Sequence, residues 1–384
     1  MAPVSTPNQH MLARLAVMLL ATGCPGDSGE TTGPTASTAS TASTASTDNT
    51  TTAPLTTDGS TAGATSSTTT TADPTTGSAN TSTGGVTGPG PDDPALDCAA
   101  PPCFNVINRC DFPIWVHAEN NDGVVLTPDL AQLAPAGWQQ YSAPAEWPAG
   151  RINAYYEDPA RSPNAYDKVE VTLTNGTMNY NITYVDYVSL PSEMRAVGPE
   201  CPVTADFDPK IGCYVPRAAL LDGCPDGLLD GERCLSANLF CADGNNKAKP
   251  YCHALDEQIQ QCIDQHPDTC GVAGKLGSGT PEVYGCAGYF DSQPPNCMPA
   301  SETCHLEGNK WCAALNRGML DAPDDPDASK YYLGGPHNTY AKWVHDTCPG
   351  IYAFAYDDYP ANANESGFRA CKAPRLDVVF CPAG

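Results

Sequence analysis

The chain has 384 residues, of which 44 are acidic and 19 are basic, so its formal net charge is −25. This charge argues against binding to nucleic acid, because phosphate contacts need clustered Lys and Arg. It also argues against electrostatic attachment to an anionic membrane surface. A neutral ligand such as a polysaccharide is compatible with it.

The 19 cysteines predict an oxidising compartment, because thiols stay reduced in the cytosol. Cysteine-based zinc sites need close pairs of the C-x2-C type. The closest pair here is Cys98 with Cys103, which is wider than that spacing. We therefore predict disulfides, with neither a metal site nor a cofactor.

The first 23 residues resemble a signal peptide. Residues 11–23 contain Arg14 and an apolar run that is too short to cross a bilayer. The run ends in Leu-Ala-Thr-Gly before Cys24, which resembles a bacterial lipobox, where the cysteine is lipidated after cleavage. Lipidation of Cys24 would leave 18 of the 19 cysteines, enough for nine bridges. We therefore expect an exported protein held at a bacterial outer membrane or cell surface by its lipid alone.

Residues 24–97 predict a disordered linker that begins with the lipidated Cys24. They contain a repeat of Thr-Ala-Ser at 35–47 and are otherwise mostly Thr, Ser, Gly, Pro and Asp. Such a segment buries too little apolar surface to offset the entropy of ordering. A flexible coil of about 70 residues reaches roughly 45–50 Å on average. A mucin-like glycosylated stalk is the alternative.

Short segments in the remainder alternate between apolar and polar residues, as strands do. They are residues 104–108, 114–118, 150–156, 169–174, 180–186, 352–356 and 376–380. In one of them Val169 and Val171 share a face while Glu170 points the other way. Asn175 and Gly176 predict the hairpin turn that follows. The pattern predicts an all-β sandwich or barrel.

A cysteine-rich region at about residues 241–336 interrupts the strand pattern. We interpret it as an insertion of loops and short helices that is held by its bridges and forms no large core. Helices are predicted at residues 256–264 and 338–347. Asn338 can cap the second helix, and Pro349 can end it.

Several motifs occur in the order found in thaumatin-like proteins. FNVINRC at 104–110 leads into an aromatic-ended strand, and residues 168–173 and 184–191 stand where that family has two cleft strands. CPGIYAFAYDD at 348–358, Cys371 and then DVVFCP at 377–382 follow the family's closing order. The chain therefore resembles the thaumatin-like family over about residues 104–241 and 338–384.

This resemblance implies a flattened β-sandwich stabilised by disulfides over residues 98–384, with the cysteine-rich insertion inside it. It implies a disulfide between Cys110 and Cys381 that ties the first strand to the last. The other cysteines expected in disulfides from the family order are Cys201, Cys213, Cys348 and Cys371.

The family has an acidic cleft with one arginine, associated with binding and sometimes slow cleavage of β-1,3-glucan. Glu170 and Asp186 match two of its carboxylates, whereas Tyr155 and Asn181 replace the arginine and another aspartate. A carboxyl pair can hydrolyse a glycosidic bond, so Glu170 and Asp186 are catalytic candidates. Tyr155, Asn181 and Tyr184 are candidates for ligand binding. The alternative is that the two carboxylates are ordinary solvent-facing strand residues.

The resemblance favours a surface protein that binds β-1,3-glucan or a related polysaccharide without cleaving it. Losing the arginine and one aspartate removes groups that would separate the two carboxyl pKa values. The first alternative is a weak endo-β-1,3-glucanase that uses Glu170 and Asp186. The second is a structural or protein-interaction module that acts through the cysteine-rich insertion, with an unidentified partner.

Overall fold

The structure, a computed structural model, describes residues 89–90, 93–205, 207–242, 249–267, 283–286, 302–360 and 367–382, with side chains between 302 and 308 left out. The predicted signal peptide, Cys24 and nearly all of the linker lie outside the described residues. None of the helices in these ranges combines the length and the apolar character that crossing a membrane requires.

Strands dominate the described residues, and short helices lie between them. The strands are β1 (Cys103–Asn108), β2 (Ile114–Asn120), β3 (Ala131–Leu133), β4 (Trp138–Ser142), β5 (Trp147–Tyr155), β6 (Tyr166–Thr174), β7 (Thr177–Thr183), β8 (Tyr187–Val188), β9 (Ser192–Val197), β10 (Lys210–Gly212), β11 (Leu229–Asp230), β12 (Arg233–Leu235), β13 (Arg369–Lys372) and β14 (Arg375–Phe380). The helices are α1 (Arg217–Asp222), α2 (Ala237–Phe240), α3 (Pro250–Gln265), α4 (Glu302–Arg317) and α5 (Thr339–Thr347).

Two sheets pack face to face. The five-stranded sheet has the order β10-β9-β14-β1-β4, and the six-stranded sheet has the order β13-β7-β6-β5-β2-β3. Their inner faces share one apolar core, in which Phe104 and Trp147 place their ring centroids 5.3 Å apart. Val169, Val171 and Leu173 are fully buried there, as their alternation predicts. The predicted all-β class with disulfides is confirmed.

The hairpin between β6 and β7 shows how local sequence sets the register. Asn175 and Gly176 have φ values of 52° and 75°. Both values lie in the left-handed region, which a type I′ turn requires and which Asn-Gly adopts readily. The predicted turn is therefore formed, and it places Glu170 directly opposite Asn181 across the two strands.

Disulfides connect distant parts of the sandwich. Three of them join Cys110 to Cys381, Cys201 to Cys371 and Cys213 to Cys348. The first follows β1 and β14, which pair in parallel. It closes a separation of 271 residues, for which the chain-entropy model gives a stabilisation of about 5 kcal/mol.

The described part of the cysteine-rich insertion forms a core, contrary to the sequence interpretation. Leu255, Val283 and Leu315 are buried in the same cluster as the sandwich. Gln258 on α3 donates a hydrogen bond to the Leu315 carbonyl on α4 at 3.0 Å. The prediction was wrong because α4 has few apolar residues: its buried face uses small alanines and Trp311, which carry a weak helical signal.

Of two predicted elements near the C-terminus, the helix is present and the strand is not. The helix after Asn338 is confirmed, and the Asn338 side chain accepts a hydrogen bond from the Ala341 amide at 3.2 Å. The predicted strand at 352–356 is wrong. Only Tyr352 makes a bridge, to Thr183, before the chain turns away from the sheet edge.

Residues 93–98, which we call the N-terminal strap, cover the outward face of the five-stranded sheet. Leu96 is fully buried against Ile107 and Val379. The Asn105 side chain donates a hydrogen bond to the Leu96 carbonyl at 2.7 Å. Residues 93–97, which the sequence analysis assigned to the linker, therefore include a side chain that packs against the domain.

Candidate active site

The outward face of the six-stranded sheet carries three rows of side chains, which the strand register defines. The aromatic row consists of Gln132, Trp115, Tyr155 and Tyr166. The middle row consists of His117, Asn153, Lys168 and Thr183. The carboxylate row consists of Glu119, Arg151, Glu170 and Asn181.

Glu170 lies in the carboxylate row on β6 and is partly buried. The buried Asn181 on β7 donates a hydrogen bond from Nδ2 to Glu170 Oε2 at 3.0 Å. Across the other strand boundary, Arg151 stands opposite Glu170 and donates from Nε to Glu119 Oε1 at 3.0 Å. The hydrogen bond from Asn181 therefore orients the Glu170 carboxyl group.

Asp186 follows β7 and faces Lys168. Lys168 Nζ donates to Asp186 Oδ2 at 2.9 Å, and Asn238 Nδ2 donates to Oδ1 at 3.3 Å. Burial opposes ionisation of Asp186, but the charge of Lys168 and these hydrogen bonds outweigh it and lower the Asp186 pKa. Burial likewise opposes the Lys168 charge, yet Asp186 and Glu170 raise the Lys168 pKa. Lys168 is thus the common neighbour of both predicted catalytic carboxylates.

A buried carboxyl group holds the segment that carries Asp186. Asp167 accepts hydrogen bonds from the Ser189 amide at 3.0 Å, the Ser189 hydroxyl at 2.7 Å and the Leu190 amide at 3.0 Å. Its burial raises the Asp167 pKa to about 7, although the hydrogen bonds act in the opposite direction. The segment after Asp186 is therefore pinned to β6, the strand that also carries Glu170.

Tyr352 adds a residue to this face that the sequence analysis did not identify. Its carbonyl accepts from the Tyr184 amide at 2.7 Å, and its amide donates to the Ile182 carbonyl at 3.2 Å. The resulting parallel bridge sets Tyr352 beside Thr183. Burial and the nearby charges of Asp358, Asp357 and Glu170 raise the Tyr352 pKa. A tyrosine thus stands next to the carboxylate row.

A buried ionic cluster fixes the loop that delivers Tyr352. Asp357 accepts from Arg317 Nη2 at 3.0 Å, His345 Nε2 at 2.7 Å and the Ala353 amide at 2.8 Å. Burial opposes the Asp357 charge, but His345 and Arg317 outweigh it and lower the Asp357 pKa. The cluster ties α4, α5 and the loop after Tyr352 together.

The structure places Tyr184, a predicted ligand-binding residue, in the core of the sandwich. Its side chain is fully buried, and its hydroxyl donates to the Leu190 carbonyl at 3.1 Å. It continues the alternation of Tyr180 and Ile182, which point into the core, whereas Asn181 and Thr183 point outwards. The sequence analysis placed Tyr184 within a cleft strand without following that alternation from β7.

The other two predicted ligand-binding residues differ in their exposure to solvent. Asn181 is 5% exposed and contacts Glu170 instead of facing solvent. Tyr155 is partly exposed in the aromatic row, with its ring centroid 5.0 Å from that of Tyr166.

The sequence analysis missed Arg151, although a signal was present. Arg151 and Tyr155 lie on the same face of β5 because four residues separate them. Assigning the arginine position to Tyr155 alone left the site without an arginine, while the structure has Arg151 opposite Glu170. In the described ranges, no cluster of His, Cys, Asp and Glu side chains is arranged to hold a metal ion.

Comparisons with known proteins identify solved structures that share this fold. Residues 279–380 match the family model Glyco_hydro_64, described as beta-1,3-glucanase. A beta-1,3-glucanase domain (GH64) from Clostridium beijerinckii is 16% identical, with 74% of this chain and 98% of that chain covered and a TM-score of 0.53. A laminaripentaose-producing beta-1,3-glucanase in complex with laminaritetraose is also 16% identical, with 73% and 99% covered and a TM-score of 0.53. At this identity the likeness shows the fold.

No curated protein matches the chain. A thaumatin-like xylanase inhibitor covers 24% of this chain with a TM-score of 0.19, which is too small a likeness to support an assignment. The thaumatin-like resemblance is therefore not confirmed as the main assignment. The fold is that of the GH64 β-1,3-glucanase structures.

Proposed function

We propose that this protein hydrolyses β-1,3-glucan, with Glu170 and Asp186 as its acid and base. The observation that carries the proposal is the arrangement of the two carboxylates around Lys168 on the outward face of the six-stranded sheet. The match of residues 279–380 to a family model described as beta-1,3-glucanase supports it, as does the fold of the compared glucanase structures.

The surroundings of Asp186 suggest its role, which leaves Glu170 as the acid. Lys168 and Asn238 stabilise the ionised form of Asp186, which suits a base that takes a proton from the attacking water. Glu170 then donates its proton to the departing glycosidic oxygen. The water oxygen bonds to the anomeric carbon as the glycosidic bond breaks, so one water is added across that bond. Asn181 orients Glu170 through its hydrogen bond.

This proposal reverses the order of preference that the sequence analysis gave. Binding without cleavage was preferred because the arginine and one aspartate of the family's cleft are replaced by Tyr155 and Asn181. Arg151 stands directly opposite Glu170 and is ion-paired with Glu119 at 3.0 Å, so the part of that reason that concerns the arginine does not hold. The earlier alternative, a β-1,3-glucanase, has the stronger support.

The direct test uses the full chain with its disulfides formed. It is incubated with laminarin, and with cellulose and chitin as controls, while reducing sugar and retention on the insoluble polymers are measured. Release from laminarin alone supports the proposal. Retention on β-1,3-glucan without release would instead identify a binding protein. If the protein shows no retention and no release, both the hydrolase and the binding protein are rejected, and the cysteine-rich insertion becomes the next part to test.

Lys168→Met should shift the acidic limb of the pH profile of kcat/KM to higher pH. Lys168 lowers the Asp186 pKa, so its removal raises that pKa and protonates the base over a wider range of low pH. Lys168→Arg keeps the positive charge and should leave the limb near its original position. An unchanged limb in Lys168→Met would show that Lys168 does not set the ionisation of the base.

We further propose that lipid on Cys24 holds the protein at the cell surface. The support is the short apolar run and the lipobox-like residues before Cys24. Cys24→Ser should move the protein from the membrane fraction to the soluble fraction of fractionated cells. Retention in the membrane fraction would count against lipidation at this position.

A further inference from the structure

The aromatic row is not needed for the proposed chemistry, yet it shares the same face. Trp115, Tyr155 and Tyr166 are opposite one another on three adjacent strands and all three are partly exposed. Their strand neighbours Ile114 and Ala154 are fully buried on the opposite face. With strands about 4.8 Å apart, the three rings make an outward surface about 10 Å wide.

Sheet stability alone accounts for only part of this arrangement. A cross-strand aromatic pair contributes roughly 0.2–1 kcal/mol, and the pair of Tyr155 and Tyr166 fits that role. Trp115 extends the surface by a third strand, and the exposed Gln132 extends it by a fourth. A wide aromatic surface that ends in a free amide suits a ligand with both apolar faces and hydroxyl groups, and sugars have both.

The middle row contains a buried polar side chain. Asn153 is 3% exposed, and its Oδ1 has no hydrogen-bond partner among the described residues. Asn153 lies between Tyr155 and Arg151 on the outward face of β5. Leaving such an acceptor unpaired costs free energy.

The aromatic row lies at a distance from Glu170 along the sheet. Tyr166 and Glu170 lie four residues apart on the same face of β6, which corresponds to about 13 Å. Lys168 lies between them. This distance is too long for contact with the bond that Glu170 would protonate, and it corresponds to a few sugar units.

We propose that the aromatic row is a remote subsite that stacks against a β-1,3-glucan chain several sugar units from the bond beside Glu170. The proposal rests on the proposed function and goes beyond it, because it makes the protein selective for longer chains. The rings of Trp115, Tyr155 and Tyr166 contact the C–H faces of the sugars, and Gln132 hydrogen-bonds their hydroxyl groups at the edge.

The test compares Trp115→Ala and Tyr155→Ala with the unmodified full chain on laminari-oligosaccharides of increasing length. The KM for the longest oligosaccharide should rise about five- to tenfold, as expected for losing one stacked ring. The kcat/KM for the shortest cleaved oligosaccharide should stay unchanged. Tyr214→Ala is the control, because Tyr214 is 37% exposed and lies beside Lys210 on the five-stranded sheet. It should change neither value.

Binding to the same oligosaccharides and thermal unfolding are measured in parallel, which separates the two proposals. If the unmodified chain cleaves the oligosaccharides, the variants can lose activity equally on short and long substrates, or lose none. Either outcome would overturn the subsite and leave the hydrolase proposal intact. Length-dependent binding that the variants weaken, without any cleavage, would overturn the hydrolase and support the subsite. A lower melting temperature without length dependence would show that the row only supports the sheet.

Discussion

Glu170→Gln should lower kcat on laminarin by about 10²–10⁴-fold, the range that general acid catalysis contributes. The amide keeps the shape of the side chain and can still accept from Asn181 Nδ2, but it has no proton to give to the glycosidic oxygen. Substrate contacts elsewhere on the face are unchanged, so KM should change much less than kcat. Initial rates of reducing-sugar release measure both quantities.

Glu193→Gln is the matched control for this experiment. Glu193 is also a partly buried strand glutamate, but it lies on β9 of the other sheet and pairs with Lys210 at 3.2 Å. Its replacement should leave kcat near that of the unmodified chain. A Glu170→Gln variant with near-normal kcat would remove Glu170 from the acid role and leave the fold assignment intact.

Asp357→Asn should lower the free energy of unfolding by about 3–5 kcal/mol, because it removes the anion from a buried ionic cluster. Arg317 and Asp357 have side chains that are only 2% and 4% exposed, and His345 shares the same carboxylate at 2.7 Å. Without the negative charge, the buried Arg317 guanidinium loses its counter-ion and His345 loses its carboxylate partner. Urea unfolding with disulfides intact measures the change.

Asp346→Asn provides the comparison on helix α5. Asp346 forms an ion pair with Lys342, but its side chain is 61% exposed, and exposed pairs contribute about 0–1 kcal/mol. The Asp357 variant should also have reduced activity, because Asp357 holds the loop that sets Tyr352 beside the carboxylate row. Equal stability of the two variants would show that the cluster is not what holds this loop.

The strand framework could be predicted because one face of each strand is uniformly apolar. β2 and β6 alternate between buried and partly exposed residues along most of their length, and both were found. β3 and β10 have three residues each, which is too short for a period to be seen. Residues 352–356 have alternating aromatics. The chain nevertheless leaves the sheet after a single bridge, and the Asp357 carboxylate bonds to Arg317 and His345.

The candidate site was predictable only where it lies within regular strands. Glu170 and Tyr155 have outward positions that follow from alternation. The partners that orient the site depend on register and on distant segments. Asn238 comes from α2, and Tyr352 enters beside β7 from beyond the cysteine-rich insertion. No local pattern encodes such contacts.

The N-terminal strap determines from which side the chain enters the domain. Leu96 lies on the outward face of the five-stranded sheet, whereas Glu170 lies on the outward face of the six-stranded sheet. These faces are the front and back of one sandwich, so residues 93–98 occupy none of the surface on which Glu170 and the aromatic row lie.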